Sequence, residues 1–250
     1  MTSATDPATT SHADARRRII VALDVDKEQD AVVIARELRG SVGALKVGLQ
    51  LFTAGGPDLV RRLVDDGIKV FLDLKFHDIP NTVAKASVEA AKLGVWMFNM
   101  HASGGTEMMR HAVDQVREHC DRQNQTRPIM IGVTVLTSSD EASQHELGIT
   151  ESVPDRVTRL ARLVADSGLD GVVASAREVH LIKEAIRKEC FIAVTPGIRS
   201  ASSATVDDQM RVTTLRAALS AGSDYVVIGR PIIGSTDRRA AVERLLEETQ

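Results

Sequence analysis

From residue 16 onward, short runs of apolar and β-branched residues alternate with longer runs whose apolar residues recur at helical spacing. The longer, amphipathic runs predict helices over residues 30–39, 56–66, 81–94, 153–168 and 215–222, the last ending at Gly222. The short runs predict eight strands, over residues 18–25, 43–49, 68–75, 95–101, 128–136, 170–175, 191–195 and 223–229.

This alternation predicts an α/β fold with a parallel sheet, because nearly continuous apolar strands need helices to cover them. Eight strand–helix units favour a (β/α)8 TIM barrel, a single domain over residues 16–250. The alternative is a doubly wound open sheet, which predicts a glycine-rich phosphate turn after the first strand. Here that position reads "LDVDKEQD", residues 23–30, which contains no glycine.

The first 15 residues are small and polar, lack the apolar centre of a signal peptide, and predict a disordered tail. No apolar run reaches the roughly 18–20 residues of a membrane span. The two cysteines lie far apart without metal-ligand spacing and are predicted to be reduced thiols. We therefore expect a cytoplasmic protein.

Composition narrows the range of partners. The net charge is −3 and aromatic residues make up 3% of the 250-residue chain. A nucleic-acid-binding surface usually needs a basic field or stacking aromatics, and a lipid surface also attracts basic patches. We expect no nucleic-acid or membrane partner.

Charged residues gather where several predicted strands end. Asp24 ends the first strand, Lys46 lies in the second, Asp73 and Lys75 end the third, and Asp78 follows. Asp73 and Lys75 alternate, so an extended strand places both on one face. Buried charge is costly unless it is paired, and one lone pair would suggest a structural ion pair. The four charges other than Asp78 lie at the rim where barrel chemistry occurs, which favours a functional site.

Two further segments suit a phosphorylated ligand. In "VVIGRPI", residues 226–232, Gly229 allows close backbone approach, Arg230 offers a guanidinium fork, and Pro231 suits a first helical turn. The long segment 196–209 is predicted to be a mobile lid, with a disordered insertion as the alternative. His77 and His101 lack a pattern of nucleophilic partners, so packing or hydrogen bonding is their expected role.

These motifs resemble the orotidine 5′-phosphate decarboxylase family. The resemblance runs in order over nearly the whole chain outside the N-terminal tail, and "DLKFHDIPNT" together with "TPGIR" is its most specific part. The matching pieces are "ALD" (22–24), "LKVG" (45–48), "DLKFHDIPNT" (73–82), "HASGG" (101–105), "VTVLTS" (133–138), "TPGIR" (195–199), "DDQ" (207–209) and "GRPI" (229–232).

The resemblance implies decarboxylation of orotidine 5′-monophosphate to uridine 5′-monophosphate, without metal or cofactor, by a homodimer with shared active sites. It implies that Asp73, Lys75 and Asp78 are catalytic, and that Asp24 and Lys46 hold the ribose hydroxyls.

Further roles in substrate binding follow from the same resemblance. Asp78, Ile79 and Thr82 would serve the active site of the partner subunit, and Thr137 would contact the pyrimidine edge. Phosphate would be held by a set that the resemblance places around the lid and the last strand: Arg199 at the mobile rim, with Gln209, Gly229 and Arg230.

Three alternatives stay open. The shorter D-x-K-x-x-D pattern also resembles metal-dependent relatives on the same barrel, 3-keto-gulonate phosphate decarboxylase and hexulose phosphate synthase. A non-catalytic nucleotide-binding barrel has no need of the intact charged set. An isomerase of the triosephosphate type would need a base after the sixth strand, where Glu178 lies only within the next helical pattern.

Overall fold

The computed structural model describes residues 11–199 and 213–249, and in them eight parallel strands form one closed barrel. The strands follow one another in chain order and β8 pairs with β1, which confirms the predicted (β/α)8 TIM barrel. Each of the eight predicted strands is present. They span Ile19–Ala22 (β1), Ala44–Gly48 (β2), Val70–Phe76 (β3), Met97–His101 (β4), Ile129–Val133 (β5), Gly171–Val173 (β6), Ile192–Thr195 (β7) and Tyr225–Ile228 (β8).

Helices surround this barrel, and the five predicted ones are present with shifted ends. They span His12–Arg18 (α1), Glu28–Leu38 (α2), Leu49–Asp65 (α3), Pro80–Lys92 (α4), Gly105–Gln123 (α5), Glu141–Glu146 (α6), Val153–Asp166 (α7), Ala176–Ile186 (α8), Leu215–Ser220 (α9), Arg230–Ile233 (α10) and Arg238–Glu247 (α11). Gly222 follows α9 with φ +97°, the left-handed conformation expected after a helix end.

Helix α1 corrects the predicted tail boundary at residue 15. Ser11 caps it by accepting a hydrogen bond from the backbone N–H of Asp14, and Ala15 is fully buried. The sequence pattern missed this helix because it is short and polar, and its position depends on packing against the rest of the barrel.

Helix α3 begins earlier than predicted, at Leu49 rather than residue 56. A kink at Gly56, with φ +62°, divides it just before Pro57. The glycine and the proline interrupt the helical pattern, so only the second half was recognisable from the sequence.

The barrel interior is closed below the rim by apolar side chains. This inner core comprises Ile20, Ala22, Ala44, Phe71, Met97, Ile131, Val194 and Val227. Because side chains alternate along a strand, the next inward position is two residues further on. On the first four strands those positions hold Asp24, Lys46, Asp73 and Asn99. A polar layer therefore lies directly above the apolar floor.

No helix in the described ranges is long and apolar enough to span a bilayer.

Candidate active site

A cavity of about 740 Å³ opens at the carboxyl ends of the strands. Among the described residues, its wall combines charged groups with apolar side chains of the barrel floor. The charged and polar side chains that line it include Asp24, Lys46, Asp73, Lys75, Thr137, Arg199, Arg230, Arg244 and Glu248. The rim that the sequence indicated is thus one continuous concave surface.

Two lysines and two aspartates form a contiguous charge array in this cavity. Nζ of Lys46 lies 3.2 Å from Oδ1 of Asp24 and 3.4 Å from Oδ2 of Asp73. Nζ of Lys75 lies 2.7 Å from Oδ1 of Asp73. The side chains of Lys46 and Asp73 are 11% and 12% exposed, whereas Lys75 is 34% exposed. The array therefore has a buried centre and a more accessible ammonium at Lys75.

The Asp73 carboxylate stays ionised despite its surroundings. Burial raises its pKa, but the positive charges of Lys46 and Lys75 and hydrogen bonds from Lys75 and Asn99 outweigh that effect, so the pKa lies below its ordinary value.

The backbone at Lys75 is not a regular strand. The pairing of β3 with β4 shifts between Leu72 and Phe76, which leaves extra residues of β3 opposite Asn99. Lys75 lies in this segment with φ +53°, a left-handed conformation that is uncommon for a residue with a side chain. Asp73 and Lys75 do point to one site, as predicted, but a bulge rather than plain alternation sets their geometry.

Asn99 contacts this array and was not among the predicted site residues. Its Nδ2 donates a hydrogen bond to Oδ1 of Asp73 at 2.7 Å, and its Oδ1 accepts one from the backbone N–H of Lys75 at 2.8 Å. The only sequence signal is an amide within the apolar run 95–101.

Gly48 leaves space for the buried ammonium. A methyl group at this position would come within 2.9 Å of Nζ of Lys46. The end of strand β2 is therefore shaped around the lysine, and a larger residue at position 48 would push it away from Asp24 and Asp73.

Asp78, Ile79 and Thr82 do not line the cavity of their own chain. They lie in the β3–α4 connection and the first turn of α4, and all three are exposed. Oδ1 of Asp78 accepts a hydrogen bond from the backbone N–H of Ile79 at 2.6 Å, and Ile79 is 65% exposed. Their absence from the lining of this cavity is consistent with the expectation that they serve the partner subunit, which stays a prediction.

Three of the predicted phosphate-binding residues, Arg199, Gly229 and Arg230, line the same cavity. Gly229 and Arg230 lie where β8 turns into the short helix α10, and Arg199 and Thr137 follow β7 and β5. Gln209 and most of the predicted lid, residues 196–209, lie outside the described residues. The two flanks of that gap meet at the rim, where the backbone N–H of Arg199 donates to the carbonyl of Thr213 at 3.0 Å.

His77 and His101 lie beside the array with ring centroids 5.4 Å apart. Burial lowers the pKa of His101, and repulsion from His77 and Lys75 lowers it further, against the attraction of Asp73. Glu178 is buried within α8 and is not part of the cavity wall. Glu178 therefore does not take the position of a base at the carboxyl end of β6.

Within residues 11–199 and 213–249, no three His, Cys, Asp or Glu side chains are arranged to hold a metal ion.

Comparison with known families gives one extensive match. Residues 17–245 match the model described as "Orotidine 5'-phosphate decarboxylase / HUMPS family". The chain is 52% identical over 235 residues to the orotidine 5′-phosphate decarboxylase of Syntrophotalea carbinolica, covering 94% of this chain and 96% of that protein. It is 50% identical over 234 residues to the enzyme of the same name from Geobacter metallireducens, with 94% and 96% covered.

Solved structures agree with the sequence match. The orotidine 5′-phosphate decarboxylase of Lactobacillus acidophilus superimposes with a TM-score of 0.81 at 37% identity, covering 94% of this chain and 99% of that one. An uncharacterised conserved protein from Geobacillus kaustophilus gives a TM-score of 0.78 at 39% identity, with 93% and 100% covered.

Proposed function

The chain belongs to the orotidine 5′-phosphate decarboxylase / HUMPS family, and on that premise we propose that Lys75 drives its decarboxylation of orotidine 5′-monophosphate. The products are uridine 5′-monophosphate and CO2, so this carboxy-lyase acts in pyrimidine biosynthesis. No metal or organic cofactor takes part in the proposed reaction.

The observation that carries the proposal is the ion-paired Lys75 at the cavity wall. When the bond between C6 and the carboxylate breaks, its electron pair remains on C6, where no adjacent carbonyl delocalises it well. A fixed positive charge at that point stabilises the transition state more than the ground state. Lys75, held 2.7 Å from Asp73, supplies such a charge without reorganisation during the reaction.

Lys75 also supplies the proton that completes the reaction. As CO2 leaves, Nζ of Lys75 donates a proton to C6, and the lysine regains a proton from solvent before the next turnover. Asp73 fixes the direction of the Lys75 ammonium, while Lys46 pairs with the second oxygen of the same carboxylate.

The remaining cavity residues bind the parts of the substrate that do not react. Asp24 and Lys46 hold the ribose hydroxyls, and Thr137 contacts the pyrimidine edge. Gly229 and Arg230 bind the phosphate, with Arg199 beside them and Gln209 completing the set. Binding energy from a doubly charged phosphate is available to orient the ring against Lys75, which raises the rate rather than only the affinity.

The exposed residues after β3 complete the site in a homodimer. Asp78, Ile79 and Thr82 are accessible and lie away from their own cavity. We place them at the cavity of the partner subunit, where Asp78 adds a second carboxylate beside the partner's lysine. The large exposed side chain of Ile79 fits burial at such an interface.

One assay tests reaction class and cofactor requirement together. The purified protein is mixed with orotidine 5′-monophosphate in the presence of excess EDTA, and the loss of ultraviolet absorbance is followed. We expect full turnover with release of uridine 5′-monophosphate and CO2. Activity that disappears on chelation would favour a metal-dependent lyase, and failure to release CO2 with or without metal would refute the proposed function.

A further inference from the structure

We propose that Asn99 is a positioning residue for the proton-donating lysine, a role that rests on the proposed function above. Its side-chain amide makes two hydrogen bonds to the segment that contains the lysine. Nδ2 donates to Oδ1 of Asp73 at 2.7 Å, and Oδ1 accepts from the backbone N–H of Lys75 at 2.8 Å. The side chain is 1% exposed on a whole-residue basis and lies behind the cavity wall rather than on it.

The first contact fixes the carboxylate. Oδ1 of Asp73 receives both Nζ of Lys75 and Nδ2 of Asn99, while Oδ2 faces Nζ of Lys46 at 3.4 Å. Three donors from β2, β3 and β4 therefore hold one carboxylate, so it has no freedom to rotate. A carboxylate that does not rotate keeps the ammonium of Lys75 aimed at one point.

The second contact stabilises an unfavourable backbone conformation at Lys75. Lys75 has φ +53°, and the ladder between β3 and β4 is interrupted where Asn99 lies opposite the bulge. The carbonyl of the Asn99 side chain accepts the Lys75 N–H, which the interrupted ladder does not satisfy through the backbone of β4. Strained conformations persist where the surroundings over-determine them, and here the amide provides that constraint.

Both requirements are met at once by a neutral group that can donate and accept, as the amide of Asn99 does. An aliphatic side chain would leave the Lys75 N–H and one Asp73 oxygen without these partners. An ionised carboxylate would accept from Lys75 but repel Asp73. Because Asn99 does not line the cavity, its loss should impair the chemical step and leave substrate binding largely intact.

The test compares Asn99→Ala with wild-type protein in steady-state assays using orotidine 5′-monophosphate across a range of pH. We expect kcat to fall by about 100-fold, as misplacement of a reacting group by ~1 Å can do. KM should change by less than about three-fold, because uniform binding is retained. Ser167→Ala is the matched control, since it removes one buried hydroxyl that donates to Leu163 at the end of α7, away from the cavity.

Asn99→Asp provides a signature that loss of stability alone cannot produce, and it decides the outcome if Asn99→Ala does not fold. When protonated, the new carboxyl can donate to Asp73 and accept from Lys75, as the amide does. When it ionises, it becomes a like charge beside Asp73. We therefore expect kcat of this variant to fall as pH rises, with a limb that wild-type protein lacks.

The possible failures are distinguishable. If wild-type protein releases no CO2 from the nucleotide, the proposed function fails before Asn99 is tested. If wild-type protein is active but the folded Asn99 variants retain its kcat and its pH profile, the positioning role is refuted. A rise in KM with unchanged kcat would refute it as well, because it would assign Asn99 to substrate binding.

Discussion

Nζ of Lys75 lies 2.7 Å from Oδ1 of Asp73, although Lys75 itself has left-handed backbone geometry. The contact therefore depends on a local distortion as well as on charge. Of the two lysines in the array, Lys75 is the more exposed and Lys46 the more enclosed. This difference supports the proposal that Lys75 is the proton donor and that Lys46 gives electrostatic support.

Lys75→Ala should lower kcat by about 10²–10⁴-fold, the range expected when a general acid is removed. The fold should persist, because Asp73 retains its contacts with Lys46 and Asn99. Steady-state assays and thermal unfolding check both points, with the exposed Lys188→Ala as the control. A Lys75→Ala protein with a tenth of wild-type kcat would contradict its role as proton donor.

Arg230→Ala should lower kcat/KM for orotidine 5′-monophosphate by about 10- to 100-fold, the effect of losing a charge-assisted hydrogen bond. Orotidine, which lacks the phosphate, should lose much less. Measuring both substrates separates phosphate binding from general damage, and Arg61→Ala on the exposed face of α3 is the control. Equal losses for the two substrates would argue against a phosphate contact by Arg230.

Mixing Asp78→Ala and Lys75→Ala proteins should restore activity if Asp78 serves the partner subunit. A hybrid dimer then has one site with both defects and one with neither. Random pairing gives about one quarter of wild-type activity, measured after incubation long enough for exchange. No recovery, with exchange demonstrated by a tagged subunit, would show that Asp78 does not act across an interface.

His101 should make stability depend on pH. Its pKa lies below the ordinary value of 6.5, so the neutral ring favours the folded state. That contribution is complete above pH 6.5 and is lost as pH falls through the lower pKa of the folded protein. Urea unfolding from about pH 8 to about pH 5 should therefore show a smaller decline for His101→Gln than for wild-type protein.

His77→Gln should also make the free energy of unfolding decline less than in wild-type protein as the pH falls from about 8 to about 5. Removing the neighbouring imidazole relieves part of the repulsion, which moves the pKa of His101 back toward 6.5. Identical pH dependence in wild-type protein and both variants would mean that His101 does not contribute to it.

Gln144→Leu should stabilise the protein by about 1 kcal/mol. Gln144 is 4% exposed on helix α6, and neither polar atom of its amide has a hydrogen-bond partner in the described structure. Burying an amide without partners is unfavourable, so an apolar side chain of similar size removes that penalty. Urea unfolding measures the difference, with exposed Gln115→Leu as the control. A less stable Gln144→Leu protein would mean that the amide is satisfied in solution.

The sequence was sufficient to predict the barrel and most of the charged residues at its rim. Apolar runs identified all eight strands, and strand ends placed Asp24, Lys46, Asp73 and Lys75 in one cavity. Both inferences need only local periodicity and the rule that parallel strands share their carboxyl edge.

What the sequence did not predict depends on contacts between distant segments. The bulge at Lys75 arises from how β3 pairs with β4, and the two hydrogen bonds of Asn99 exist only in that register. Helix α1 has little intrinsic pattern and was assigned to the tail. Periodicity within one segment contains no information about such pairings.

Barrel closure brings the first and last strands together, and residues that follow each of them line the cavity. Strand β1 pairs with β8, and a methyl group at Gly229 would lie 3.4 Å from Oδ2 of Asp24. During translation, Asp24 leaves the ribosome long before Gly229, so a nascent chain carries β1 with one unpaired edge until synthesis is nearly finished. Premature termination before β8 would therefore yield an open, aggregation-prone sheet as well as an incomplete cavity.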